Sequence, residues 1–349
     1  MTKFDIIIPI FNAEDLLPRC LNSILRQTHQ DFRILAVDDN STDRTLNILW
    51  EYRNLFPDKI NIFHSNKNLG AAGARNLALS YTTADYISFV DSDDYLEPEY
   101  LERINDVATK YHPDMITTDL KMKTFGLNNN FFSSSNVVKR DTNIILPKEQ
   151  KDYIYTERPN VTCKSIRSDK IAIPFPEGKK WEDFAFIIPH FIKSDSIYHL
   201  SYNGYNYTAN PNGTTIRDMM KLSPRLLEIF DCCDYIDESL TEEERAEFHN
   251  ELEIVKTINC INRLRDLSFV KMDPEQKKLL ANYLYNLITI KETDFLELPY
   301  YYTKKNGSTF YRYHMERVEK LLDQSLQQES SEKVLRKKIG DIINQEKTN

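Results

Sequence analysis

Asp85-Tyr86-Ile87-Ser88-Phe89-Val90-Asp91-Ser92-Asp93-Asp94-Tyr95-Leu96 is the stretch around which the rest of the chain is organised. Strand formers from Tyr86 to Val90 run into Asp91, Asp93 and Asp94, so the carboxylates sit where a buried strand surfaces. Like charges this close repel one another and raise each other's pKa unless a cation compensates them. A hard divalent ion, Mg²⁺ or Mn²⁺, takes oxygen ligands, commonly one or two carboxylates with substrate phosphates and water completing the shell. The same residues also suit a solvated acidic turn capping a helix that Pro98 opens.

Working outward, the flanking sequence alternates strands with helices. Phe4 to Ile10 reads as a buried strand broken by Pro9. Leu16, Cys20 and Ile24, beside Leu17, Leu21 and Leu25, recur every four residues and give a helix from Ala13 to about Arg26 one apolar face. Ile34 to Val37 is a second buried strand ending in Asp38-Asp39-Asn40-Ser41-Thr42-Asp43. The next helix, Thr42 to about Phe56, is expected to turn Leu46, Leu49 and Trp50 inward. A strand over Ile60 to Phe63, a small-residue helix over Gly70 to Ser80, the strand Tyr86 to Val90, a helix over Glu99 to Lys110 and a strand over Met115 to Thr118 continue the pattern. This spacing predicts an α/β, Rossmann-like fold: a mostly parallel sheet covered on both faces, with ligands at the carboxyl ends of the strands. Asp38, Asp39, Asp91 and Asp93 all fall at such ends.

Asn66-Lys67-Asn68-Leu69-Gly70-Ala71-Ala72-Gly73-Ala74-Arg75-Asn76 is the second informative stretch. Small residues at a helix start let backbone amides approach an anion, and Arg75 adds a fixed charge, an arrangement suited to a pyrophosphate. Gly70 and Gly73 equally suit tight helix packing, and neither the Walker lysine pattern nor a G-x-G-x-x-G fingerprint occurs. From 121 to 151 the sequence turns Asn- and Ser-rich, which predicts a loop or small irregular insertion. Order returns with Val161 to Arg167 and with Phe175 to Phe184, where Glu182 and Asp183 open a helix facing inward through Phe184, Ile187, Ile188 and Phe191. Acids at a helix N-terminus are also favourable through the dipole alone.

A chain of 349 residues suits one large domain or two ordinary ones, and its net charge of -8 argues against nucleic acid as the main partner while leaving room for a phosphate-rich ligand held by local bases. The N-terminus does not read as a signal peptide and no apolar run is long enough to span a bilayer, so a cytoplasmic protein is expected. The five cysteines are dispersed, without metal spacing, as reduced structural thiols. From Met220 onward the pattern is helical. Thr241 with Glu244 is a capping box ahead of Phe248, Leu252, Val255 and Ile258; Asp273-Pro274 is a helix start; and a last helix runs through Val318, Leu321, Leu322 and Leu326. The expected division is therefore 1–219 and 220–349. The helical region is a packed appendage, a homo-oligomer surface or an acceptor-side clamp, and Tyr300-Tyr301-Tyr302-Thr303-Lys304-Lys305 is a candidate contact for a sugar or a lipid headgroup at the inner membrane face.

The order P-I-F-N, V-D-D-N-S-T-D, N-L-G-A-A-G-A-R-N, V-D-S-D-D and W-E-D-F resembles the bacterial family two of inverting nucleotide-sugar glycosyltransferases over roughly Lys3 to Thr215. That resemblance implies a GT-A type catalytic domain using a UDP-sugar (glucose, galactose or N-acetylhexosamine type), with Mn²⁺ or Mg²⁺. It further implies a glycan, glycolipid or glycoprotein acceptor in surface-polymer or glycoprotein synthesis. Residue by residue, Pro9 and Phe11 match positions lining the uracil ring, Asp39 the acid that reads the base, and Asn68 and Arg75 positions near the nucleotide and its phosphates. Asp91 matches the residue near ribose and metal, Asp93 the direct metal ligand, Asp183 the catalytic base and Glu182 its acceptor-side neighbour. Lys164 stands where the family often has a lysine, without an assigned role.

The chain departs from its relatives in the segment Tyr202 to Thr215, where Thr208 and Ala209 replace the Arg or His they commonly carry, arguing against a third protein ligand to the metal. The Q-x-x-R-W motif of processive synthases is absent, which implies transfer of a single sugar. A sugar nucleotidyltransferase is disfavoured because Phe11-Asn12-Ala13-Glu14 is not the glycine- and base-rich loop such enzymes need. A non-catalytic nucleotide-binding partner of another transferase is the alternative, against which intact Asp93 and Asp183 argue.

Overall fold

The computed structural model describes residues 2–124, 130–134, 143–210, 228–267 and 274. Apolar runs that alternate with amphipathic ones give β1 (Phe4–Ile10), α1 (Leu17–Leu25), β2 (Phe32–Asp38), α2 (Thr45–Leu55), β3 (Ile60–His64), α3 (Gly70–Leu79) and β4 (Tyr86–Phe89). They continue as β5 (Tyr95–Leu96), α4 (Tyr100–Tyr111), β6 (Met115–Thr124), β7 (Asn130–Ser134), β8 (Ile144–Ile145), α5 (Tyr153–Thr156), β9 (Lys164–Arg167), α6 (Glu182–Lys193) and β10 (Ile197–Ala209). These strands make one sheet in the order β3-β2-β1-β4-β9-β6-β10-β5, with β7 on β6 and β8 on β10. β3, β2, β1 and β4 pair in parallel, as do β6 and β10, while β9 runs antiparallel between β4 and β6. The expected α/β, mostly parallel, Rossmann-like sheet is present.

Helices cover the sheet because its central strands have no polar face: Ile6, Ile7 and Ile8 of β1 and Ile34, Leu35 and Ala36 of β2 are all fully buried. Each such isoleucine or leucine contributes roughly 1.5–3 kcal/mol when buried. α1 seats Leu17, Cys20, Leu21 and Ile24 in that core. It begins later than the expected Ala13, because Pro18 has no N–H and is tolerated only in a helix's first turn. α2 differs in its face. Thr45 and Leu49 point inward one turn apart, and Trp50, one residue and about 100° further round, is 52% exposed rather than inward. α6 is buried nearly all round, from Phe184 to Ile192, not along one face.

The 121–151 segment is not simply irregular. β6 continues to Thr124, β7 returns antiparallel to it and β8 adds to β10. The chain divides into two compact units, Met1–Tyr153 with Glu157–Pro211, and Ile154–Thr156 with Asn212–Asn349. In the second unit, α7 (Glu228–Ser239), α8 (Glu242–Glu247) and α9 (His249–Leu267) follow one another. Thr241 and Glu244 form the reciprocal capping box, and Phe248, Val255 and Ile258 are buried. Residues 211–215, the tyrosine-lysine cluster at 300–305 and the helices expected beyond Pro274 lie outside the described residues. Among the described residues no helix is long and apolar enough to cross a membrane, and the five cysteines are thiols outside any disulfide.

Candidate active site

The parallel half of the sheet delivers β1, β2 and β4 to one edge, so Phe11, Asp39 and Asp91 follow strand ends that lie side by side. Phe11 is 49% exposed, unusual for a phenylalanine, while Pro9 is half-buried within β1. Asn12 just beyond accepts a hydrogen bond from the Thr42 amide at 2.8 Å, tying the loops after β1 and β2 together.

Asp39 is 3% exposed, and its two oxygens accept the backbone amides of Leu69 (2.6 Å) and Gly70 (2.8 Å) at the start of α3. The anion at that helix N-terminus is thus the protein's own carboxylate. Burial raises the Asp39 pKa, and these amides work against the rise. Gly70 is required there by its left-handed backbone (φ 72°), and a Cβ on Gly73 would come within 2.6 Å of Leu69 Cβ. Both glycines therefore serve local geometry. Asn68, exposed beside them, accepts the Gly70 amide at 3.2 Å and donates to the Asp39 carbonyl at 3.4 Å.

Arg75, on the buried face of α3 and 3% exposed, is the centre of the cluster. Its Nη2 donates to Asp91 Oδ1 at 2.9 Å, and its Nη1 to Asp183 Oδ1 at 2.8 Å and Glu182 Oε1 at 3.2 Å. Both Nη groups, expected near phosphates, are engaged by three carboxylates, and the face of the guanidinium lies 5.4 Å from the Phe175 ring. Burial works against its charge, but Asp183, Asp91 and Glu182 outweigh it and raise its pKa. Burial also pushes Asp91 up to about 6, with Asp183 and Asp93 adding to the rise and Arg75 opposing it. Glu182 is raised by burial and then by neighbouring Asp183. Trp181 immediately before them holds a left-handed backbone (φ 70°), a conformation costing about 1–2 kcal/mol for a residue with a Cβ. The remaining Asp183 oxygen, Oδ2, accepts the Val161 amide at 3.1 Å.

The acidic turn after β4 divides its labour. Asp94 is fully buried, accepts Tyr205 Oη at 2.6 Å and the Thr208 amide at 2.7 Å, and so fastens β10 to the turn. Burial, then Asp91 and Asp93, raises its pKa well above the usual range. Tyr205 Oη also accepts the Asp91 amide at 3.2 Å. Asp93 is half-buried, with its Oδ2 accepting Asn210 Nδ2 at 3.4 Å, and burial raises its pKa. Arg19 of α1 donates to the Asp93 carbonyl (2.6 Å) and to Thr208 Oγ1 (2.8 Å). Arg19 and the Val161 amide escaped sequence reasoning because each reaches the site across the fold without a local motif.

Among the described residues no group of three or more His, Cys, Asp or Glu side chains forms a ready-made metal centre. Asp91 and Asp93 offer carboxylates from one turn, a donor set that fits a hard cation shared with substrate phosphates and water rather than an all-protein cage. One buried guanidinium against this concentration of acids leaves an excess of negative charge, which also fits a cation.

The profile of glycosyl transferase family 2 matches residues 5–166. The chain is 30% identical over 214 residues to a poly(ribitol-phosphate) beta-glucosyltransferase of Bacillus spizizenii, covering 60% of this chain and 33% of that protein. It is 31% identical over 216 residues to the poly(ribitol-phosphate) beta-N-acetylglucosaminyltransferase TarS of Staphylococcus aureus, covering 61% and 36%. The chain thus spans about a third of the length of these curated relatives. Among solved structures, residues 1–349 of S. aureus TarS in complex with UDP-GlcNAc match with a TM-score of 0.54 at 22% identity, covering 82% of this chain and 88% of that one. The Pyrobaculum calidifontis mannosyltransferase in complex with GDP-Man and Mn²⁺ matches with a TM-score of 0.53 at 14% identity, covering 92% and 87%. At these identities the two structures establish a common GT-A fold. Five motifs in order along that fold accompany the match over residues 5–166, where the chain is similar to glycosyl transferase family 2.

Proposed function

We propose that this chain is a divalent-metal-dependent, inverting, non-processive glycosyltransferase that moves one hexose or N-acetylhexosamine from a UDP-sugar to a hydroxyl of a surface glycopolymer. The observation that carries the proposal is the Arg75 node, which joins Asp91 of the acidic turn to Glu182 and Asp183 of α6 within 3.2 Å of one guanidinium. Donor-side and acceptor-side carboxylates are thereby locked into one geometry. The acceptor class is supported by the relatives named above, which act on poly(ribitol-phosphate).

Asp39, with Phe11 and Pro9 beside it, would receive the base. Each Asp39 oxygen already accepts one amide, and a carboxylate oxygen has room for a second donor such as the uracil imide N–H. Asp93 and Asp91 would hold Mn²⁺ or Mg²⁺, which when bound supplies Lewis-acid neutralisation of the pyrophosphate. Asp183 then acts as general base: its carboxylate takes the proton of the acceptor hydroxyl as that oxygen bonds to the anomeric carbon and the bond to UDP breaks. Attack opposite the leaving group inverts the centre. Arg75 keeps the Asp183 carboxylate turned, while Glu182, held by the same nitrogen, borders the acceptor.

The test is release of UDP from UDP-glucose, UDP-galactose and UDP-N-acetylglucosamine, with and without Mn²⁺, by wild type and Asp183→Asn. Metal-dependent turnover of one donor, lost in the variant, is the expected result. Equal turnover in both proteins would remove Asp183 as the base. No turnover of any donor, together with no UDP binding by calorimetry, would remove the transferase reading.

A further inference from the structure

We propose that the loop from Glu157 to Lys164 is a clamp that orients the Asp183 carboxylate, and that the buried Lys164–Glu157 ion pair is the staple closing it. Lys164 is therefore a positioning residue. The proposal rests on Asp183 being the general base.

A general base must present one lone pair to the incoming hydroxyl, so its carboxylate plane has to be fixed. Asp183 is held by one donor on each oxygen: Arg75 on Oδ1 at 2.8 Å and the Val161 amide on Oδ2 at 3.1 Å. Arg75 is anchored independently by Asp91 and Glu182. Val161, itself fully buried, lies in the loop that joins α5 to β9 and ends at Lys164, the first residue of β9.

That loop is braced from within and at its ends. Asn160 Nδ2 donates to the Thr162 carbonyl (2.7 Å) and to Thr162 Oγ1 (2.6 Å). Cys163 takes a left-handed backbone (φ 65°), and its carbonyl accepts the Thr118 amide of β6 at 2.9 Å. The loop's first and last residues then meet: Lys164 Nζ lies 3.7 Å from Glu157 Oε1, with the two side chains 1% and 4% exposed. Lys164 Nζ also lies 5.8 Å from the ring centroid of Phe191, on the helix that carries Asp183. Lys164 thus touches both the loop that clamps Asp183 and the helix that bears it.

Stability alone is a poor account of this pair. Neither Lys164 Nζ nor Glu157 Oε2 has a hydrogen-bond partner. A buried ion pair without supporting hydrogen bonds recovers less than its desolvation cost. At 1% exposure the Lys164 side chain is closed off from solvent. What the pair does is geometric: it joins the ends of an eight-residue loop whose middle amide holds the base.

The test compares wild type, Lys164→Met and the double variant Lys164→Met/Glu157→Gln, which leaves no lone buried charge and so keeps the fold. Three quantities are read: hydrogen exchange of the Val161 amide, the Kd for UDP with Mn²⁺ by calorimetry, and kcat for donor turnover. In the double variant, Val161 exchange is expected to rise about 10-fold or more. kcat should fall about 10- to 100-fold while the UDP Kd stays within about twofold. Unchanged Val161 protection overturns the clamp, and so does lost protection with wild-type kcat. Because exchange needs no substrate, it decides the clamp even if wild type turns over no donor, the outcome that would count against the transferase reading instead.

Discussion

Replacing Arg75 by methionine keeps the length and most of the volume of the side chain and removes a buried cation that hydrogen-bonds to Asp91, Glu182 and Asp183 alike. Breaking a buried ion pair by deleting one partner costs about 3–5 kcal/mol, because the remaining charge is left uncompensated. Here three carboxylates lose their common partner, but their side chains keep 33%, 22% and 26% exposure, and solvent screening places the loss near the lower end, about 3 kcal/mol at pH 7. The sign of the pH dependence follows. Without Arg75, which opposes the effect of burial on Asp91 and Glu182, the folded-state pKa values of these two carboxylates rise further above their unfolded values, so the folded variant binds protons that its unfolded chain does not. Its deficit relative to wild type should therefore shrink as the pH falls from 7 to 5, by up to about 1.4 kcal/mol per pH unit for each carboxylate that takes up a proton. Urea unfolding at both pH values, followed by the fluorescence of Trp181 beside Glu182, measures this directly. A deficit under about 1 kcal/mol at pH 7, or one that grows on acidification, would refute the view that Arg75 is the charge-balancing centre.

Three further outcomes are expected. Asp183→Asn should lower kcat by about 100-fold or more, the scale of a lost general base, with UDP affinity nearly unchanged in calorimetry. Asp93→Ala should weaken UDP binding in the presence of Mn²⁺ but not in its absence, and an unchanged Mn²⁺ titration would move the cation elsewhere. His190 sits buried in α6, accepting the Ala172 amide at its Nε2 and donating from Nδ1 to the Phe186 carbonyl; burial, and then Lys193, lowers its pKa to about 4. It is neutral in the fold and charges more readily unfolded. Its contribution is therefore complete above about pH 6.5 and is lost progressively down to about pH 4, about 3 kcal/mol in all. His190→Gln should flatten the stability curve in that window, and an unaltered slope would reject the assignment.

The sheet was legible because strands buried on both faces cannot alternate: Ile6-Ile7-Ile8 and Ile34-Leu35-Ala36 read as continuous apolar runs, and acids end such runs where they leave the core. Asp39, Asp91 and Asp93 could be placed at strand ends for that reason alone. Direction and partnership were not legible. Lys164–Arg167 offers four residues with no mark of orientation, yet it runs antiparallel between β4 and β6. Arg75 meets Glu182 and Asp183 across 107 and 108 residues of sequence, and a reader of the local turn would assign its charge to a phosphate instead. The glycines beside it had a local explanation, but the anion at the α3 N-terminus proved to be Asp39, thirty-odd residues upstream. Trp50 is outward although Leu46, Leu49 and Trp50 have the i, i+3, i+4 spacing of a buried face, because the helix turns Thr45 and Leu49 inward instead.

The same long-range contacts bear on why nucleotide and cation should bind together. Asp91, Asp93, Asp94, Glu182 and Asp183 gather around Arg75 and, beside Asp93, Arg19, which gives its Nη2 hydrogen bonds to a carbonyl and a hydroxyl rather than to a carboxylate. Burial raises the pKa of Asp91, Asp93, Asp94 and Glu182, so the pocket resists further negative charge. A bare diphosphate brought to such a surface is repelled, and at about 4 Å even a partly screened pair of like charges costs about 4 kcal/mol. A divalent cation carried by the diphosphate reverses that sign for Asp91 and Asp93 at once. On the proposed function the acidity of the turn would discriminate against the metal-free nucleotide as well as supply ligands, and the Asp183 carboxylate, held by Arg75 and the Val161 amide, would be left to take a proton.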